Sequence, residues 1–106
     1  MKTISPDELQ KLMASEPQLP LLDVRTRAEF AEVHVPQARN IPLDELQPGA
    51  LPFDKERPVY LICRTQPRAM RAAESLAREG FTQLVVIAGG TLAWVEAHLP
   101  VQRPNH

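Results

Sequence analysis

The sequence predicts an α/β fold of three layers, in which a mostly parallel central sheet carries helices on both faces. The first observation is that residues 20–24, 57–63 and 83–89 are short apolar segments, typical of buried strands. The second is that a helix-prone segment follows each of them after a short connection. Such alternation favours parallel strands joined by right-handed crossovers.

The N-terminal segment contributes a first strand and helix. Lys2–Ile4 is short and fits an edge strand. Ser5, Pro6 and Glu8 then form a capping box with proline at the first helical position. This pattern predicts a helix over residues 6–15.

The other helices follow the three apolar segments. Residues 27–35 are helix-prone up to Pro36, and residues 41–49 combine a short helical turn with a loop. Residues 67–80 have the clearest helical pattern and end at a glycine. Residues 91–99 are predicted to form the last helix.

Length and composition predict one globular domain over residues 1–106, since 43% of the residues are hydrophobic and 24% are charged. The formal net charge of -1 gives no general attraction to nucleic acid or membrane surfaces. The N-terminus lacks an apolar signal core, and no apolar run approaches the length of a membrane span. We therefore expect a cytoplasmic protein with no nucleic-acid or membrane partner.

The cysteine and histidine content argues against disulfides and metal sites. Cys63 is the single cysteine, so no internal disulfide can form. His34, His98 and His106 are scattered, without a cysteine at ligand spacing. The sequence predicts neither a metal nor another cofactor.

The stretch CRTQPRAMR, residues 63–71, combines this cysteine with three arginines and no acidic residue. It begins where an apolar strand ends, which is where ligands bind in parallel sheets. With a helix starting at Pro67, the free N–H groups of residues 68–70 and of the preceding loop form an anion cradle around the sulfur. Arg64 and Arg68 add positive charge.

A lone cysteine in an apolar strand is more often an inert core residue. Here the position at the end of the strand, the loop that begins a helix and the arginines favour a nucleophile instead. Helix N-termini and neighbouring cations stabilise a thiolate, and the thiolate is the reactive form of cysteine.

Three sequence blocks then carry a family resemblance. Residues 21–43 read LLDVRTRAEFAEVHVPQARNIPL, residues 60–69 read YLICRTQPRA, and residues 85–101 read VVIAGGTLAWVEAHLPV. In order and spacing, these blocks resemble those of the single-domain rhodanese-like sulfurtransferases, over almost the whole chain. No single block would be specific, but the three together are.

The resemblance implies a mechanism. Cys63 would be the catalytic nucleophile, which takes sulfur from a small anionic donor such as thiosulfate and carries it as a persulfide. An external thiol, cyanide or a protein would accept the sulfur. The active-site loop would hold the persulfide and would consist of Arg64, Thr65, Gln66, Pro67, Arg68 and Ala69, with Arg68 closing it.

Two other functions remain open. Phosphatases of the same superfamily have five residues between cysteine and arginine, whereas four separate Cys63 from Arg68, which disfavours phosphate. A catalytically weak binding or redox-sensing module is the alternative, because Gln66, Val33 and Gln37 stand where the family has glycine. Gln66 would narrow the cradle, change its curvature or place a side-chain contact at its mouth.

Two further pairs of residues are expected close to this loop. Asp23 and Arg25 end the strand at 20–24, and we interpret them as structural. Asp23 would accept backbone N–H groups, and Arg25 would pair with an acid such as Glu29, because buried charges need partners. Gly89 and Gly90 predict a strand-to-helix turn beside the loop.

Overall fold

The computed structural model describes residues 1–104. His106, one of the three histidines noted above, lies outside the described residues, as does the last part of the predicted domain 1–106. No helix within residues 1–104 has the length and apolar character needed to cross a membrane.

The chain alternates strands and helices, as predicted. The strands are β1 (Lys2–Ile4), β2 (Leu21–Asp23), β3 (Arg39–Asn40), β4 (Val59–Ile62) and β5 (Leu84–Ile87). The helices are α1 (Pro6–Ser15), α2 (Arg27–Glu32), α3 (Pro67–Arg78) and α4 (Gly90–Glu96), with single 3₁₀ turns at Leu43–Glu45 and Pro48–Ala50.

The five strands form one parallel sheet in the order β1-β5-β4-β2-β3. β1 lies at one edge, which confirms the predicted edge strand. β3 lies at the other edge and was not predicted. It is only two residues long and pairs with Leu22 and Asp23 of β2, so local sequence carries almost no signal for it.

Two apolar clusters cover the two faces of the sheet, which confirms the predicted three layers. One cluster joins Val59 and Leu61 of β4 to the buried residues of α3, including Leu76. The other joins Tyr60 and Ile62 of β4 to α1 and α4. Alternate residues of a strand point to opposite faces, so β4 serves both clusters.

The capping box of α1 is confirmed: the Ser5 hydroxyl accepts the Glu8 N–H, and the Glu8 carboxylate accepts the Ser5 N–H, each at 3.1 Å. The predicted helix at 27–35 is wrong at its C-terminal end, because α2 stops at Glu32. His34 instead pairs with Gln102 as an antiparallel bridge. This long-range pairing overrides the local helical preference.

Candidate active site

Cys63 directly follows β4 and is buried, with 1% of its surface exposed. Its side chain belongs to the α3-side cluster, together with Val24 and Ala69. This placement follows from the alternation along β4, because Val59 and Leu61 point to the same face. The sulfur therefore faces α3, and α4 lies on the opposite face of the sheet.

The N-terminus of α4 binds the loop after Cys63 from the face of the sheet opposite to the sulfur. The Cys63 carbonyl accepts the Thr91 N–H at 2.8 Å and the Thr91 hydroxyl at 3.1 Å. The Arg64 carbonyl accepts the Leu92 N–H at 3.1 Å. The first N–H groups of α4 have no partner within their own helix. They bind carbonyl oxygens of the loop instead.

The same contacts orient the N–H groups of the loop. The carbonyl oxygens of Cys63, Arg64 and Thr65 all lie close to Gly90. The described residues contain no cis peptide bond, and the N–H of a trans peptide points opposite to its carbonyl. The N–H groups of residues 64–66 therefore point away from α4, towards the face that carries the sulfur.

Helix α3 adds two more N–H groups. Pro67 occupies its first turn, as predicted, and the N–H groups of Arg68 and Ala69 have no partner within the helix. The prediction that Met70 also has a free N–H is wrong, because it donates to the Gln66 carbonyl at 3.1 Å. Within residues 1–104, the backbone N–H groups of residues 64–66, 68 and 69 thus have no protein acceptor.

Gln66 does not need the conformational freedom of glycine. Its φ of -164° lies outside the positive range that favours glycine. Its side-chain carbonyl accepts the Gly89 N–H at 3.4 Å, a long contact between the loop and the turn before α4. Val33 is extended, with φ -162°, and Gln37 is not among the described residues with positive φ. None of these three positions therefore has the positive φ that would require glycine.

Arg68 binds Glu29. Its two terminal nitrogens donate to the two carboxylate oxygens of Glu29 at 2.6 and 2.9 Å. Hydrogen bonds from Arg68 lower the pKa of Glu29 from 4.5 to about 2, and the same contact raises the pKa of Arg68. This pair fixes the start of α3 to α2, so Arg68 positions the loop.

Glu29→Gln is expected to lower the unfolding free energy at neutral pH by about 1 to 2 kcal/mol, less than the full pKa shift implies, because the two side chains are 28% and 31% exposed. A lowered carboxyl pKa stabilises the fold above pH 4.5, and this contribution is lost as the pH falls towards 2. The difference between wild type and variant should therefore shrink over that range, as measured by denaturant unfolding.

The control for this measurement is Glu8→Gln. Glu29 closes the capping box of α2 at Thr26, as Glu8 closes that of α1 at Ser5. Glu8 is exposed, and within residues 1–104 it forms no ion pair with an arginine. Both substitutions remove the charge and keep a side-chain carbonyl for the cap, so the comparison isolates the contribution of the Arg68 partner. If the difference in unfolding free energy between wild type and Glu29→Gln did not depend on pH, the proposed contribution of the ion pair would be contradicted.

Arg25 pairs with an acid, as predicted, but this acid is not Glu29, the example given above. Arg25 pairs with Asp23, through contacts of 2.9 and 2.7 Å, and not with the Glu29 carboxylate. Both side chains are buried, and Asp23 also accepts the Arg25 N–H, as expected. The Arg25 guanidinium additionally donates to the carbonyls of Val33 and Glu29. These contacts join β2 to the end of α2.

Two cavities of about 270 Å³ flank the loop on opposite faces of the sheet. The α3-side cavity is lined by Val24, Thr26, Leu43, Asp44, Arg68 and Arg71. The α4-side cavity is lined by Glu32, Val33, Arg64, Leu92, Val95 and Arg103, among others. Only the first lies on the face that carries the sulfur, because Val24 and Leu43 pack in the cluster of Cys63.

The structure brings most of the predicted site residues together. Cys63, the loop 64–69 and the pair of Asp23 and Arg25 lie at the carboxyl ends of adjacent strands. Sequence analysis missed Thr91, whose backbone and hydroxyl both bind the Cys63 carbonyl. A polar residue directly after the two glycines was the available signal, but only the fold shows which carbonyl it meets.

Comparison with known proteins agrees with this architecture. The family model for the rhodanese-like domain matches residues 5–97. The protein slr1261 of Synechocystis is 35% identical over 104 residues, which cover 98% of this chain but only 58% of that protein. A sulfurtransferase of Allochromatium vinosum is 29% identical over 102 residues, covering 96% of this chain and 95% of that protein.

A solved structure gives the same result. The rhodanese-like domain protein from Staphylococcus aureus superimposes with a TM-score of 0.80 at 32% identity, covering 89% of this chain and 91% of that one. The family match covers most of the chain, and the strand order, the cysteine loop and its supporting helix are all present. The chain therefore belongs to the rhodanese-like domain family.

Proposed function

We propose that this protein is a sulfurtransferase that carries sulfur as a persulfide on Cys63. The observation that carries the proposal is the set of N–H groups from residues 64–66, 68 and 69, held in place by α4 and directed to the face of Cys63. Backbone donors arranged before reaction stabilise an anion without reorganisation. The family membership and the name of the Allochromatium relative support sulfur transfer in general.

The first step loads the sulfur. The Cys63 thiolate attacks the outer sulfur of thiosulfate, and a new S–S bond forms. The S–S bond of the donor breaks, and its electron pair leaves on sulfite. The negative charge of the thiolate then lies on the outer persulfide sulfur, within reach of the loop N–H groups. Covalent catalysis thus divides the transfer into two easier steps.

The second step needs an acceptor from outside the chain. The sequence contains one cysteine, so the persulfide has no second thiol with which to form an internal disulfide. A small thiol, cyanide or a protein partner would remove the sulfur. We place the protein in the cytoplasm, where a free thiol persists in the reduced form.

The test is mass spectrometry of the intact protein after incubation with thiosulfate. One added sulfur atom is expected, located on the peptide that contains Cys63 and removed by a reducing thiol. Because thiosulfate is only one possible donor, the same measurement is made with an organic persulfide and with a polysulfide. The absence of an adduct on Cys63 with all three donors would overturn the proposal.

The alternative function is a weak binding or redox-sensing module. The pH dependence of the rate of Cys63 alkylation distinguishes this module from a sulfurtransferase. Cys63 is 1% exposed, so its reactivity is compared with that of the unfolded chain in urea. An activated thiolate should react at a lower pH when folded. A rate that rises only near pH 8.5, as for an ordinary thiol, would favour the module.

A further inference from the structure

The α3-side cavity lies on the face of the sheet that carries the sulfur. Val24 and Leu43 line it and also pack in the cluster of Cys63. The cysteine itself is almost fully buried, and Arg68 of its loop lines the cavity whereas Cys63 does not. A substrate that extends from the loop into this cavity would contact the lining side chains.

Ion pairs neutralise the other charged groups around this cavity. Arg68 is bound by Glu29, Arg25 by Asp23, and Arg27 by Glu45 of the 3₁₀ turn. Two charged residues that line the cavity are left, namely Asp44 and Arg71. Both are exposed, and within residues 1–104 neither has an ion-pair partner within 4 Å.

One unpaired cation and one unpaired anion in the same cavity are complementary to a ligand that carries both charges. A dianion such as thiosulfate would be attracted by Arg71 but repelled by Asp44. A guanidinium binds carboxylates well, and a carboxylate binds ammonium groups. An amino acid that contains a thiol has both groups near its sulfur.

We propose that Arg71 and Asp44 select the sulfur acceptor, and that this acceptor is a small thiol bearing both a carboxylate and an ammonium group. Arg71 binds the carboxylate and Asp44 binds the ammonium. This inference rests on the proposed function, because it concerns the step that unloads the Cys63 persulfide.

The unloading step is balanced within the site. The thiolate of the acceptor attacks the outer sulfur of the Cys63 persulfide and forms a new S–S bond. The S–S bond to Cys63 breaks, and its electron pair returns to the cysteine sulfur. The acceptor leaves as a persulfide, and the Cys63 thiolate is restored without an oxidant or a reductant.

Three thiols with the same two-carbon skeleton test the proposal. L-Cysteine carries both charged groups, 3-mercaptopropionate only the carboxylate, and cysteamine only the ammonium. Each thiol is mixed with protein already loaded at Cys63, and the second-order rate constant for loss of the persulfide is measured by mass spectrometry. For each thiol, the rate constant of every variant is divided by that of the wild type. The intrinsic reactivity of the thiol cancels in this ratio.

Arg71→Gln is expected to slow cysteine and 3-mercaptopropionate about threefold to fivefold, the effect of one exposed ion pair, and to leave cysteamine unchanged. Asp44→Asn is expected to slow cysteine and cysteamine by a similar factor. It should accelerate 3-mercaptopropionate, because it removes a repulsion. These effects should diminish at high ionic strength, where exposed charges are screened.

The matched controls are Arg78→Gln, which is exposed near the end of the same helix, and Glu96→Gln, which is exposed on α4. Neither should change any of the three rates. Equal rates in Arg71→Gln, Asp44→Asn and wild type would overturn the inference and leave the persulfide itself intact. A change of the rates in Arg103→Gln instead of Arg71→Gln would show entry from the α4-side cavity, which also contradicts it. A protein that takes no sulfur on Cys63 would overturn the proposed function and this inference with it.

Discussion

Cys63→Ser is expected to reduce sulfur transfer from thiosulfate to a thiol or cyanide by at least about a thousandfold, the scale seen when a covalent nucleophile is removed. A serine hydroxyl is not ionised near neutral pH and forms no persulfide, so both steps are lost. The substitution changes the size of this buried side chain little. The measurement is steady-state turnover with a coupled assay of the sulfite released.

The fold of this variant should persist. The serine hydroxyl lies where the loop N–H groups point, so it can accept a hydrogen bond although it is buried. The unfolding free energy should therefore change by about 1 kcal/mol or less. Turnover within about tenfold of wild type, in a variant with a native circular dichroism spectrum, would exclude Cys63 as the nucleophile.

Gly90→Ala is expected to have the largest effect on stability among the substitutions considered. Gly90 has φ +62°, and an added Cβ would lie 2.4 Å from the Cys63 carbonyl and 2.6 Å from those of Arg64 and Thr65. All three are backbone atoms, so the loop or α4 must move. Left-handed strain and the steric clash together should cost about 3 kcal/mol or more.

Activity should fall together with stability, because the displaced loop no longer directs its N–H groups to the sulfur. The control is Gly49→Ala, whose Cβ would meet the flexible Glu79 carboxylate at 3.1 Å, with no positive φ. That change should be within about 1 kcal/mol of wild type. Unfolding midpoints and persulfide loading are measured on both variants.

If Gly90→Ala does not fold, Thr91→Val provides a second test of how α4 supports the loop. It removes the hydroxyl bond to the Cys63 carbonyl but keeps the backbone bond. We expect a stable protein, weakened by about 1 kcal/mol, with slower persulfide loading. Unchanged loading in Thr91→Val would show that support from α4 does not control the geometry of the loop.

The sequence predicts correctly those features whose cause lies within a few residues. The capping box at Ser5 and Glu8 involves groups three residues apart, so α1 is specified locally. The helix start at Pro67 is equally local, since proline fits the first turn at no cost in hydrogen bonds. The position of Cys63 at the end of β4 follows from the apolar run before it and the basic, polar residues after it.

Errors arise where distant residues compete for the same group. The helix-prone segment 27–35 loses its last residues because His34 pairs with Gln102 and Arg25 binds the Val33 carbonyl. Arg25 was expected to pair with an acid such as Glu29. Within the fold, Asp23 lies closer to Arg25, and Glu29 faces Arg68 instead.

The sequence by itself determined the strands other than β3, most of the helices, the parallel three-layer fold and the cysteine loop with its basic residues. Only the tertiary structure decided how that loop is held, which face the sulfur occupies and which charges remain unpaired. The physical reason is the range of the interactions. Caps, strands and turns depend on neighbours along the chain, whereas the bonds from Thr91 to Cys63 and from Arg68 to Glu29 join residues 28 and 39 positions apart.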